Sequence, residues 1–323
     1  MQTIIGKNID TAIKLLEEGQ VVAIPTETVY GLAANALNEE AIIKIFEAKN
    51  RPIFNPLIVH IKNWDDVVIY AHNIPVIAYH LANKLSPGPL TFLLPKKDII
   101  PDLVTAGSAL VAIRIPNHPL TLSLLSQLSF PLAAPSANEF GYISPTLASH
   151  VLDSLDGKIE YILDGEAASV GLESTIIGFD ENEQVIVHRV GGVSIEEIEK
   201  ITGLPVKMAD KTEENKPTTS GQLKSHYAPK TELYIGDIAE LAKKFEGKKM
   251  VSINFQQTYE LKNVQQFVLS ETGSLSEASK KLFHTMREID KLEADVILAE
   301  IFPDNGLGKA INDRLSRAQA IFK

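Results

Sequence analysis

Cysteine is absent from the 323 residues, which excludes disulfides, thiolate metal sites and thiol nucleophiles together. Long apolar runs are absent too, and none approaches the roughly 18 residues of a membrane span. The opening MQTIIGKNID lacks the basic-then-apolar order of a secretory signal. A soluble, cytoplasmic protein is therefore expected. No G-x-S-x-G, H-E-x-x-H, EF-hand or Walker A string occurs, and the 8 histidines show no metal-ligand spacing. Gly306-Leu307-Gly308-Lys309 lacks the further glycine and the Ser/Thr of a phosphate loop and reads as a turn before the last helix.

Arginine is scarce early in the chain: only Arg51, Arg114 and Arg189 precede residue 208. Lys+Arg 31 against Asp+Glu 41 gives a net charge of −10. Residues 1–207 hold 14 basic and 24 acidic side chains and so carry all of that excess, while residues 208–323 hold 17 of each sign. An acidic first region argues against a protein that grips nucleic-acid phosphates, which needs a basic face. It leaves room for a small polyanion in a focused pocket. What is present is an ordinary globular composition, 45% hydrophobic and 22% charged, long enough for about two domains of roughly 150 residues each.

Apolar spacing predicts helices at 9–18, 39–49, 75–85 and 119–128, with strands at 21–25, 57–61, 90–95, 109–115 and 131–134. STIIGF and QVIVHRV, on either side of Asp180–Glu183, read as an antiparallel hairpin. Helices alternating with strands plus one hairpin predict a twisted, mixed α/β sheet over 1–207. Residues 208–229 read as a linker, because 209–222 (ADKTEENKPTTSGQ) hold no aliphatic side chain larger than alanine and cluster Thr, Lys, Glu, Pro and Gly. Residues 230–323 read as a small open α/β domain, with strands TELYIG, KMVSINF, VQQFVLS and ADVILAEIF, helices near 237–245 and 275–292, and a closing helix from Gly308.

Several segments are unusual for a purely structural fold. PTETVYGLAANA (25–36) places Thr26, Glu27, Thr28 and Tyr30 just after a strand, either as a helix entry capped by Thr26 or Thr28 or at a strand's carboxyl end, where ligands of open sheets gather. AKNRPIFNPLIVHI (48–61) puts Lys49 and Arg51 at a helix end, where cations also suit the helix dipole. Pro52 and Pro56 stiffen the loop so that it could present Lys49, Arg51 and Asn55 to a phosphate. His60 on the next strand reads, by itself, as structural. ALVAIRIP (109–116) buries Arg114 in an apolar strand, which demands an internal carboxylate or a ligand carboxylate. Ser136 and Asn138 follow another apolar strand, Glu173, Ser174 and Thr175 open one, and Arg189 with a Gly pair closes one. Four apolar strands each ending in such groups point to a shared cleft.

PTETVYGL, AKNRP with NPLIVHI after it, PSAN and ESTII, in that order, resemble the YrdC-like threonylcarbamoyl-AMP synthases. SGQLKSHYAP (220–229) and the small α/β region after it resemble the longer, two-domain members. The resemblance implies a YrdC-like domain with a concave ligand face, a Rossmann-like second domain and a linker crossing the mouth of the site. It implies a nucleotidyltransferase that joins L-threonine, bicarbonate or CO2 and ATP into threonylcarbamoyl-adenylate with release of pyrophosphate. Partner proteins would then place the threonylcarbamoyl group on tRNA adenosine beside the anticodon. Carried onto this sequence, Lys49 and Arg51 would be catalytic, and Arg51, Asn55, Ser136, Asn138, Ser144, Arg189 and Tyr227 would contact ATP. Thr28, His60, Arg114 and Ser174 would surround threonine, and Mg2+ would ride on the ATP phosphates.

Two departures stand out. Asn50 occupies a position where glycine is frequent, and SGQLKSH precedes Tyr227 in place of the commoner PGMKYRH. Two other functions compete: an RNA-binding module using the same face, which the −10 of residues 1–207 disfavours, and a carbamoyl transferase. Carbamoyl transferases carry acylphosphatase or zinc-finger modules, and a cysteine-free chain with one extra α/β region does not fit that pattern.

Overall fold

The computed structural model describes residues 2–210, 219–221 and 226–319. Much of the predicted linker and the last residues of the closing helix thus lie outside the described residues. The first sheet has eleven strands among the described residues. Across it they run Ile4–Gly6, Tyr161–Leu163, Val22–Ile24, Gly31–Asn35, Leu132–Ala133, Ile58–His60, Leu110–Arg114, Leu90–Pro95, Thr175–Phe179, Val185–Arg189 and Lys207–Met208. Five neighbouring pairs are parallel and five antiparallel, as expected of a mixed sheet. The 175–179 and 185–189 strands form the predicted antiparallel hairpin.

The pleat explains how this sheet makes room for a site. Val22 and Ile24 point to one face, where they join Ala12 and Leu16 of helix Ile9–Glu17 and Leu124 and Leu125 of helix Pro119–Gln127. Ala23, between them, points to the other face and joins Ile42 and Ile45 of helix Glu39–Lys49. Burial on both sides makes VAI a continuous apolar run. The helices on the first face stop short of the later strands. There Ile58, Leu93, Ala112 and Ile176 form only a small cluster, and the rest of that face stays open for polar side chains.

One of the two readings of residues 25–36 is excluded. Residues 25–36 enter no helix: 25–30 is a loop, and Gly31–Asn35 (GLAAN) is a strand paired antiparallel to Val22–Ile24. Thr26 caps nothing helical; its hydroxyl accepts from the Thr28 and Val29 amides at 3.2 Å each and so holds a side-chain-stabilised turn. Alanine and glycine have low strand propensity, so GLAAN carried no strand signal. The close approach of Ala134 Cβ, 3.2 Å from where a Cβ on Gly31 would sit, needs such small residues.

The second sheet is wholly parallel, in the order Glu232–Ile235, Val296–Ala299, Met250–Asn254, Val264–Val268. Helices Leu275–Asp290 and Gly308–Gln319 pack on it. Their apolar residues share one cluster with Val29, Ile143 and Leu172 of the first domain, so the two units are docked through a common core. Gly171, at φ +78, sits at this seam, and a Cβ there would stand 2.6 Å from Lys280 Cα and from the Ser279 carbonyl oxygen. Gly203, at φ +70, has nothing within 4 Å of the same position. Gly203→Ala should therefore cost about 1–2 kcal/mol from backbone strain alone. Gly171→Ala should cost clearly more, because a helix backbone must also retreat. Urea unfolding of both variants tests this, and equal losses would show that the seam yields freely.

Candidate active site

The open face of the first sheet carries a cleft lined by Thr28, Arg51, His60, Arg114, Ser136, Ser174, Arg189 and Tyr227 among others. Ile58 and His60, two residues apart on one strand, both line it. The site thus lies against the sheet's face, not beyond the strands' carboxyl ends. Eight of the predicted residues meet here. Lys49, Asn55, Asn138 and Ser144 are buried just behind the wall and do not line the cavity.

Local structure fixes each group. Helix Glu39–Lys49 begins at Asn38, whose side chain accepts from the Glu40 and Ala41 amides, and ends at Asn50 in the left-handed conformation (φ 51). Asparagine tolerates that conformation nearly as readily as the glycine common there, so the first sequence departure leaves the helix end intact. Lys49 turns inward, and its ammonium donates to the main-chain oxygens of Ser136 and Asn138. Arg51 donates through Nε to Asn55 O (3.3 Å) and through Nη2 to Pro56 O (3.0 Å), and faces the Phe140 ring at 5.9 Å. Arg189 donates to Ser174 O through Nε (3.1 Å) and Nη2 (2.9 Å), and through Nη1 to Ser220 O (3.0 Å). Both side-chain polar atoms of the fully buried Asn55, and Asn138 Oδ1, lack a hydrogen-bond partner. Buried amides in that state suit a ligand-binding wall.

The charge arrangement is lopsided. Arg114 pairs with Glu27 at 2.7 Å, the internal carboxylate that one sequence reading required. Arg314 donates to Glu173 at 2.7 Å, and Glu173 also accepts from Ser144 at 2.5 Å. Lys49, Arg51 and Arg189 have no acidic partner among the described residues and rest on carbonyl oxygens. Burial, with Arg51 adding, drives the Lys49 ammonium well below its ordinary range. Burial, with neighbouring arginines adding, brings Arg51 down to about 9 and Arg189 to about 10. Two of these buried cations, Arg51 and Arg189, face the cleft and Lys49 lies just behind its wall, an arrangement suited to an anion.

Two residues here went unnoticed in the sequence. Arg314 comes from the closing helix, where Ile311, Leu315 and Ala318 share its buried face; an arginine at a core position of an amphipathic helix was the available signal. His226 is buried beside Phe140 and Tyr227. Burial, then Arg51, Lys49, Arg314 and Arg189, hold it well below the ordinary histidine value. Tyr227 stacks on Phe283 of the second domain (5.6 Å, 26°) and takes φ 63, unusual for a bulky residue. Of the linker stretch that departs from the family pattern, residues 222–225 lie outside the described residues.

Fold and site together define a two-domain α/β protein whose first domain opens a cationic cleft on its sheet face and whose second domain packs behind two of the lining residues, Glu173 and Tyr227. The comparisons with known proteins agree. The family model described as "Telomere recombination" matches residues 14–191, and that described as "Threonylcarbamoyl-AMP synthase, C-terminal domain" matches 193–320. A threonylcarbamoyl-AMP synthase of Pyrococcus abyssi is 42% identical over 95% of this chain and 92% of its own length, and one of Bacillus subtilis is 40% identical over 95% and 91%. The solved structure of P. abyssi Sua5 complexed with L-threonine superposes with a TM-score of 0.91 at 40% identity, covering 98% of both chains. The chain belongs to the threonylcarbamoyl-AMP synthase family, in its two-domain form.

His60 generates a pH prediction. Its Nδ1–H donates to Ile58 O (3.2 Å), and burial together with Arg114 holds its pKa down at about 3. The unfolded chain takes up this proton near the ordinary value of about 6.5. Between those values the unfolded state binds the extra proton, so this stability is full above about 6.5 and is lost as pH falls towards 3. The slope approaches 1.4 kcal/mol per pH unit. Denaturant unfolding at a series of pH values should show a steeper acid loss for the wild type than for His60→Asn; parallel curves would contradict it.

Proposed function

We propose that the chain condenses L-threonine, bicarbonate or CO2 and ATP into threonylcarbamoyl-adenylate and pyrophosphate, as a nucleotidyltransferase acting in the cytoplasm. The product would feed partner proteins that modify tRNA adenosine beside the anticodon. The observation that carries this reading is the gathering of three acid-free buried cations, Lys49, Arg51 and Arg189, around a cleft that also holds Arg114 and small hydroxyl side chains.

In this reading Arg51 and Arg189 take phosphate oxygens, and Asn55, Ser136, Asn138, Ser144 and Tyr227 shape the nucleotide wall. Lys49 pins the 136–138 loop that carries two of them, and reaches a phosphate by exchanging one of its carbonyls. Thr28, His60, Arg114 and Ser174 enclose threonine, with the neutral His60 imidazole placing no charge against the amine. Arg114 is already paired with Glu27, so a threonine carboxylate shares that guanidinium. The two nearest acids, Glu27 and Glu173, are both engaged by arginines, which favours Mg2+ carried on the triphosphate and water. Bound in that way, it would supply charge neutralisation at the phosphates.

The chemistry asks for positioning more than for a base. Threonine's amine adds to CO2 and loses a proton, which gives a carbamate. A carbamate oxygen then bonds to the α-phosphorus as the bond to pyrophosphate breaks. Nucleophile and electrophile are both anions, so the cations lower the barrier by cancelling repulsion and stabilising the leaving group. Orientation supplies much of the rest.

The cavity measures about 50 Å³, against roughly 300–1,000 Å³ for a ligand pocket. Ser220, Gly221, His226 and Tyr227 line it on the linker side, and in this reading a nucleotide enters as they withdraw. Pyrophosphate release from ATP should require both threonine and bicarbonate. Arg51→Ala should lose on the order of 2–4 kcal/mol of transition-state stabilisation in kcat/KM. Release independent of threonine would sink the reaction assigned here, and wild-type turnover in the variant would remove Arg51 from it.

A further inference from the structure

Away from the cleft, the domain seam brings together two histidines and a carboxylate that the reaction above does not use. His150 lies on helix Ala148–Leu155 of the first domain and is buried. His284 and Glu288 lie four residues apart on helix Leu275–Asp290 of the second, hence on one face and one turn apart. His150 Nε2 and His284 Nδ1 stand 3.4 Å apart, and one ligand atom from each of the three residues falls within 4.8 Å of the others.

We propose that His150, His284 and Glu288 bind a divalent transition-metal ion, zinc by ligand type, which clasps the two domains across their seam. Zinc–nitrogen bonds of about 2.0–2.1 Å in a tetrahedron separate neighbouring ligand atoms by roughly 3.3 Å, which matches the His150–His284 spacing. Two imidazoles and one carboxylate, with water in the fourth position, are a recognised zinc set. Glu288 is exposed and held only by Lys291 at 3.4 Å, so its carboxylate is free to swing in. With a metal on Nε2 the proton moves to Nδ1, where Thr146 Oγ1 at 3.4 Å accepts it at the cost of the bond that the Thr146 amide donates to Nδ1. Without metal, the Thr146 amide donates to Nδ1 at 3.3 Å and Nε2–H faces His284. Metal binding thus shifts the His150 tautomer. Two cations stand nearby: Arg287, whose donors rest on Ile143 O, His150 O and Ser154 Oγ, and Lys291, which keeps Asp153 at 3.2 Å when Glu288 turns to the metal. The spacing of histidines along the sequence hid this set, since the ligands come from two domains.

The experiment titrates the full chain with Zn2+ by calorimetry and with Co2+ by visible absorption, and follows thermal unfolding in parallel. The expected result is one ion per chain, the intense visible bands of tetrahedral cobalt, and a raised unfolding midpoint. His284→Ala and Glu288→Gln, both at exposed positions, should weaken binding by about tenfold or more and abolish the rise. Absence of the tetrahedral spectrum would overturn the site, as would binding that is undiminished in His284→Ala. In either case the pair is a plain imidazole hydrogen bond between the domains. These readouts do not involve turnover, so they stand apart from the reaction proposed above.

Discussion

Buried positive charge is the constraint around which this structure is organised. A guanidinium or ammonium taken out of water costs several kcal/mol unless it is paired and fully hydrogen-bonded. The chain answers in two ways. Arg114 and Arg314 receive carboxylates, Glu27 and Glu173. Lys49, Arg51 and Arg189 receive main-chain carbonyls, which satisfy the donors but leave the charge in place. The first region of the chain is meanwhile acidic overall. A long phosphate backbone meets a repelling exterior, whereas a small polyanion that reaches the cleft meets concentrated positive potential.

Glu173 ties that constraint to the two-domain architecture. Its carboxylate accepts from Ser144 in the first domain and from Arg314 in the second. Arg314 also donates to Val190 O at 2.9 Å, next to Arg189, and lies over the Tyr227 ring at 5.1 Å. Arg287 repeats the pattern elsewhere on the seam, donating to Ile143 O and His150 O. The second domain therefore needs no catalytic group of its own to matter. It holds the lining from behind, through Arg314 on Glu173 and through Phe283, on which Tyr227 rests.

How much of this the sequence disclosed depended on whether the signal was local. Arg114 in an apolar strand, the hydroxyls after short strands, and the proline-stiffened loop around Arg51 are local patterns, and these residues do meet in the cleft. Partners are another matter. Glu27 lies far from Arg114 along the chain, and Glu173 is 141 residues from Arg314. No periodicity encodes which acid answers which base, so Arg114 could be assigned a carboxylate but not this one. GLAAN failed as a strand signal for the opposite reason: packing against Ala134 selects small residues, and tertiary fit overrode propensity. The amphipathic pattern of the last helix held the clue to Arg314 in plain view, since an arginine in step with Ile311, Leu315 and Ala318 has to be buried.

The carbonyl cage around the cations bears directly on which ligand the cleft selects. Ser174 O, Ser220 O, Asn55 O and Pro56 O now hold the guanidinium donors. A ligand that enters must replace some of these contacts and displace Tyr227, whose left-handed backbone already carries strain. A neutral ligand would exchange one set of dipoles for another and gain little. A polyphosphate exchanges dipoles for full charges, and charge-assisted hydrogen bonds to arginine are roughly twice as strong as neutral ones. It also offsets the burial and the repulsion from neighbouring arginines that lower Lys49, Arg51 and Arg189. On the reading proposed above, a cleft whose arginines rest on main-chain carbonyls favours a polyphosphate by charge before shape enters.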